Sequence, residues 1–141
     1  MRTLIEKDPF LNPAIKARVN QPQWHTDRWP SHWISHPTDK PTPLVLAYKR
    51  SFSLDEDAVI RVHVTADERY ALYLDGSRIG RGPERGDRWN WFFETYDLRL
   101  NAGEHTLVAL VWTLGEQAPL AQISIQPGFL LACEDAEWNA L

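Results

Sequence analysis

The residues of this chain best suited to chemistry gather between Asp67 and Trp91: Asp67, Arg69, Arg81, Arg85 and Asp87, with Trp89 and Trp91 beside them. Arginine and aspartate hydrogen-bond to pairs of hydroxyls, and an indole offers a flat wall to the C–H face of a sugar ring. Oriented polar groups on an apolar wall make a binding site. The same residues have a plainer use, in which the charges pair with each other or dock a second domain and the indoles fill a core. The chain has seven Trp among 141 residues, which fits either use.

Other constellations carry less. Two facing carboxylates hydrolyse glycosidic bonds when about 5 to 9.5 Å apart, and Glu84 with Asp87 or Glu94 with Asp97 are candidates of that kind. With nineteen Asp and Glu in the chain, however, such near pairs arise from composition alone, and catalysis by this chain is not expected. His32 and His36 have the i, i+4 spacing of a helical metal pair, yet Pro30 and Pro37 flank them and no third ligand lies near in sequence. Asp55, Glu56 and Asp57 offer hard oxygens to Ca²⁺, but an acidic turn between strands is ordinarily just solvated. No serine stands in a G-x-S-x-G elbow. Gly80-Arg81-Gly82 lacks the lysine and the following helix of a phosphate cradle. Arg85-Gly86-Asp87 spells an adhesion tripeptide too short to weigh. The expectation is no metal and no cofactor.

The formal net charge is −4, and the fifteen Lys and Arg are scattered. Nucleic-acid binding needs a concentrated basic patch, so no nucleic-acid partner is expected. Met1 to Phe10 carries Glu6, Lys7 and Asp8 where a signal peptide needs an apolar stretch, and no apolar run is long enough to span a bilayer. The expectation is a soluble chain, cytoplasmic rather than secreted, with no membrane partner. Cys133 is the sole cysteine and reads as a small buried hydrophobe.

Elements that could position the Asp67–Trp91 group are strands. From residue 1 to 43, prolines at 9, 13, 22, 30, 37, 41 and 43 exclude long helices and central strands. At most one helical turn fits at 14–19. This stretch reads as an irregular arm pinned to the domain by Trp24, Trp29 and Trp33. Order then starts at Leu44 and runs to Phe52. From Val59 to Ala66, Ile60, Val62, Val64 and Ala66 share one face and Val59, Arg61, His63 and Thr65 the other, as in a half-buried strand. Tyr70, Leu72 and Leu74 alternate up to Asp75-Gly76, a pair that supplies the positive φ values of a type I′ hairpin turn. A charged loop follows from Gly80 through Arg88. Further strands are expected at 92–100, at 107–112 with cover on both faces, at 120–126 and at 129–133, with Asn101 to Glu104 as a turn.

About seven or eight strands with almost no helical period give an all-β antiparallel sandwich or jelly roll over residues 44–141. One domain of this length closes a core without staples. The final stretch, Glu134 to Leu141, has no closing strand pattern, which leads us to expect an N-terminal piece of a longer polypeptide.

The run Thr65-Ala66-Asp67-Glu68-Arg69-Tyr70-Ala71-Leu72-Tyr73-Leu74-Asp75-Gly76, continued by Ile79 to Asp87, resembles the N-terminal sandwich region of bacterial α-L-rhamnosidases. Thr95-Tyr96-Asp97-Leu98 and the strand ending in Val111-Trp112 agree with it. The G-P-x-R-G-D loop is the most specific part, and Asp75 stands where relatives often have Asn. The resemblance implies a galactose-binding-like domain of a modular enzyme that removes terminal α-L-rhamnose with inversion, using carboxylates on an (α/α)₆ barrel beyond residue 141. That barrel is the implied partner, and a rhamnose-containing carbohydrate a second one. No family catalytic residue falls within the chain. The remaining readings are a stand-alone carbohydrate-binding module and a protein-interaction domain.

Overall fold

Period-two patterning turns one side of each strand toward a common interior. In the computed structural model of this chain, which describes residues 1–5, 9–10, 29–38, 40–86, 91–122 and 124–135, the strands do so as two antiparallel sheets. They are β1 (Arg2–Thr3), β2 (Leu44–Leu54), β3 (Ala58–Ala66), β4 (Arg69–Leu74), β5 (Ser77–Gly82), β6 (Glu94–Leu100), β7 (Gly103–Thr113) and β8 (Phe129–Cys133). One sheet, the β3 sheet, has the order β1-β6-β3-β8; the other, the β7 sheet, has the order β2-β7-β4-β5. The fold is an all-β sandwich.

Ile60, Val62, Val64, Tyr96, Leu98 and Phe129 from one sheet meet Leu54, Tyr70, Leu72, Ala109 and Val111 from the other in a single buried cluster. Burying a side chain of this size stabilises by roughly 1.5–3 kcal/mol before entropy is counted. Cys133 is part of this core, and desolvation pushes its thiol up to about 11. Glycine permits the closest approach of the sheets. The Tyr96 ring lies over Gly80, and at Gly82 a Cβ would stand 2.7 Å from Glu94 Cγ.

The expected β4–β5 hairpin is present, with φ of 49° at Asp75 and 79° at Gly76, both positive as a type I′ turn demands. Asp75 does more than turn the chain. Its Oδ1 accepts the Thr106 N–H at 2.7 Å and its Oδ2 meets His105 Nδ1 at 2.7 Å, which ties the turn to β7. Between Leu72 and Tyr73 the register shifts, so Ile79 and Gly80 both reach the interior and β5 runs to Gly82 instead of breaking at Gly80.

Four further expectations are corrected. Residues 120–122 and 124–126 form no strand: Asp67 captures the N–H groups of Ile125 and Gln126 at 2.9 and 3.3 Å, and Leu120 and Ile125 are solvent-exposed. The arm is not wholly irregular, because Arg2–Thr3 pairs with Tyr96 and Thr95 as the edge of the β3 sheet. β3 is half-buried only over its first half, where Val59 is 61% exposed; its second half is closed on both faces, with His63 at 0% and Thr65 at 2% exposure. β7 is not covered on both faces, since its outward Val108, Leu110 and Trp112 are only half-buried. The suggested turn of helix at 14–19 and the pinning role of Trp24 fall outside the described residues, whereas Trp29 and Trp33 do pack onto the sandwich.

Candidate functional site

Asp67 and Glu68 form the whole connector between β3 and β4, so both carboxylates sit at the end of the sandwich where the β7–β8 connection passes. They are 4% and 1% exposed, and every oxygen of both carboxylates accepts a hydrogen bond from elsewhere in the chain. Asp67 accepts the Ser124 hydroxyl and the N–H groups of Ile125 and Gln126. Glu68 accepts the N–H groups of Leu114 and Gly115 at 2.8 and 3.0 Å. Desolvation raises the Asp67 carboxyl above its usual range, against the pull of these hydrogen bonds. A carboxylate used in this way holds a loop.

Arg69 and Arg81 stand on the outward side of the β7 sheet, opposite Trp112 and Ala71 respectively. The Arg69 guanidinium donates to the Pro83 carbonyl at 2.6 Å and to the Glu68 carbonyl at 3.2 Å, anchoring the chain where it leaves β5. Desolvation, then the neighbouring charge of Arg85, lowers the Arg69 pKa. Arg85 is exposed. Trp91 is half-buried; its indole N–H donates to Thr65 Oγ1 at 3.1 Å and its ring meets Trp33 edge-on. Asp87 and Trp89 lie outside the described residues. The structure thus gathers Asp67, Arg69, Arg85 and Trp91 at one end of the sandwich, while Arg81 stays on the open sheet face.

Two hollows flank Trp91 and Phe92. One, bounded by Asp67, Glu68, Pro83, Glu84, Gly86 and Gln122, has about 10 Å³ of free space, which is room for about one water. The other is an open cleft of about 190 Å³ between β1 and the 91–95 segment, with Arg2, Leu4, Ile5, Phe92 and Glu94 along it. At its floor Arg2 Nε contacts Glu94, whose side chain is 6% exposed, and Arg2 Nη2 lies 3.7 Å from Glu84. Burial raises the Glu94 carboxyl while Arg2 lowers it, and burial dominates. Arg2, Leu4 and Phe92 were not picked out by spacing, and Glu94 was singled out only as a partner for Asp97, because more than eighty residues of chain separate the two halves of the cleft.

Of the candidate acid pairs, Glu94 and Asp97 are not assembled for hydrolysis. Glu94 points inward to Arg2, whereas Asp97, on the opposite face of β6, is held by Arg61 through a two-point contact at 2.6 and 3.0 Å. Asp87 is outside the described residues. His36 Nδ1 contacts Thr38 and Asp57 caps the Ala102 N–H at 2.8 Å. Among the described residues no group of three or more His, Cys, Asp or Glu comes together to hold a metal. Among the described residues no helix is long and apolar enough to cross a membrane.

No family model matches the chain, and no curated protein matches it. Among solved structures, it is similar to a GH78-family rhamnosidase from Bacillus sp. GL1, with 27% identity and a TM-score of 0.64 over 73% of this chain. The likeness spans 11% of that protein's length.

Proposed function

We propose that the chain is a non-catalytic β-sandwich accessory domain of an α-L-rhamnosidase-like glycoside hydrolase, supporting a catalytic domain of the same polypeptide. The observation that carries this reading is the likeness to a GH78 rhamnosidase at 27% identity, confined to 11% of that enzyme. Chemistry within the chain supports it. The buried carboxylates Asp67, Glu68 and Glu94 are each engaged by the chain's own backbone or by Arg2, so none is poised as acid or nucleophile.

The β7 sheet supports a docking role as well. Its outward face sets Val45, Ala47, Val108, Leu110, Ala71, Tyr73 and Trp112 between Lys49 on one edge and Arg78 and Arg81 on the other. Among the described residues no carboxylate lies within 4.0 Å of those three cations. An apolar patch with a basic rim suits a partner surface that is apolar at its centre and acidic around it. In our reading that partner is the catalytic domain.

The purified chain is expected not to turn over an aryl α-L-rhamnoside, and the reading frame beyond codon 141 is expected to encode a helical barrel with acidic loops. Turnover by this chain, or a stop codon at that point, would overturn the proposal.

A further inference from the structure

We infer that the cleft between β1 and the Trp91–Thr95 segment is a subsite for a single uncharged pyranose. The choice of sugar probe rests on the accessory-domain reading; the site itself rests on its walls. Leu4 is 87% exposed and Phe92 47% exposed, and they form the apolar sides of the cleft together with Ile5. Such groups gain by covering the C–H face of a sugar ring. Trp91 is fixed by its hydrogen bond to Thr65, and Phe93 packs edge-on against His63 and Trp29. That side of the cleft is thus rigid, and rigid aromatic walls bind without an ordering cost.

The polar floor has the chemistry of a hydroxyl binder. A guanidinium carries five N–H donors. Glu94 engages Arg2 Nε and Glu84 approaches Nη2, while the side chain remains 54% exposed, so N–H donors still face the opening. The Glu94 carboxylate, closed in by the end of the sandwich, holds that guanidinium in place and has acceptor capacity of its own. One cation stands here against two carboxylates, Glu84 and Glu94, a balance that repels a uronate or phosphate and accepts a neutral polyol. The size agrees. About 190 Å³ lies below the range of about 300 Å³ and upward for drug-sized ligands, as a site for one monosaccharide should.

The test is a titration of the full chain with L-rhamnose, followed by Trp fluorescence and by backbone amide shifts, with D-glucuronate as the anionic comparator. The subsite predicts saturation with a midpoint on the order of 10 mM, amide shifts confined to residues 2–5 and 91–95, and glucuronate weaker by about tenfold. Phe92→Ala and Arg2→Gln should each weaken rhamnose by about tenfold or more at unchanged melting temperature. Should Arg2→Gln lower the melting temperature, Phe92→Ala decides, because Phe92 is half in solvent. No saturable response by about 200 mM, shifts centred elsewhere, equal binding of glucuronate, or indifference to Phe92→Ala would each overturn the subsite. None of these results touches the accessory-domain reading, which fails only on turnover or on a stop at codon 141.

Discussion

The outer face of the β3 sheet and that of the β7 sheet differ in both chemistry and cover, and the two differences run opposite to simple expectation. On the β3 sheet the polar Arg61, His63, Thr65, Thr95 and Asp97 share the outer face with Val59, Leu130 and Ala132, yet His63, Thr65 and Thr95 are 0 to 2% exposed. Phe10, Trp29 and Phe93 stand edge-on around the His63 ring at centroid distances of 5.3, 6.0 and 5.7 Å. On the β7 sheet the outward Val45, Ala47, Ala71, Tyr73, Val108, Leu110 and Trp112 form an apolar patch bordered by Lys49, Ser51, Arg69, Arg78, Arg81 and Thr106, and Val45 is 67% exposed. Polar groups specify how the covering segment sits, because each needs a partner in one position. What distinguishes the faces is that segments of this chain cover the polar residues of the one, while the apolar residues of the other stay partly open.

The largest break in this contrast should come from His63→Ala. It removes a ring packed among three aromatics and deprives Thr95 Oγ1 of the His63 Nδ1 contact at 2.9 Å. Cavity and lost hydrogen bond together should cost about 3 kcal/mol, read as a lower urea midpoint at unchanged m-value. A loss below about 0.5 kcal/mol would mean that the cover over the β3 sheet contributes nothing.

A smaller effect is expected from acid. Arg61, through its hydrogen bonds to the carboxylate and then the Thr3 hydroxyl, holds Asp97 down to about 2 from the ordinary 3.8. A depressed carboxylate stabilises fully above its unfolded pKa and loses that stabilisation as pH falls through the folded one. Stability should thus decline between about pH 4 and pH 2, by about 1 kcal/mol after allowance for solvent screening. Asp97→Asn should flatten that part of the profile. Because the Asp97 main chain also exchanges hydrogen bonds with Met1 at 2.7 and 3.0 Å, acid should loosen β1 first, visible as faster amide exchange at residues 2 to 5.

What could be read from the sequence follows how local the cause is. The β4–β5 hairpin was legible because Asp75-Gly76 carries its own φ requirement. β2, β3 and β7 were legible from alternation, although their ends and cover were not. Residues 120–126 look like a strand by composition, but a carboxylate nearly sixty positions earlier, that of Asp67, takes the N–H groups a neighbouring strand would need. β1 is invisible for the same reason: two residues carry no period, and their pairing with Thr95 and Tyr96 is set by distant chain. At the candidate site, spacing singled out charges of the β5–β6 region. It could not know that Asp67 would be spent on backbone, or that Arg2 would meet Glu94.

The smallest expected change lies on the other face and is the sharpest test of the contrast. Val45→Ser, on an edge strand opposite Trp112, removes little buried area and should alter the stability of this chain by less than about 0.5 kcal/mol. If the β7 sheet docks a catalytic domain, the same substitution in the longer polypeptide buries a hydroxyl without a partner, and should destabilise the assembled protein by about 1–3 kcal/mol. Comparing melting temperatures of the variant in the short and long forms isolates the difference. Equal shifts in both would leave this face a solvated surface, and the covered β3 face would then be the only one whose residues were chosen for a partner.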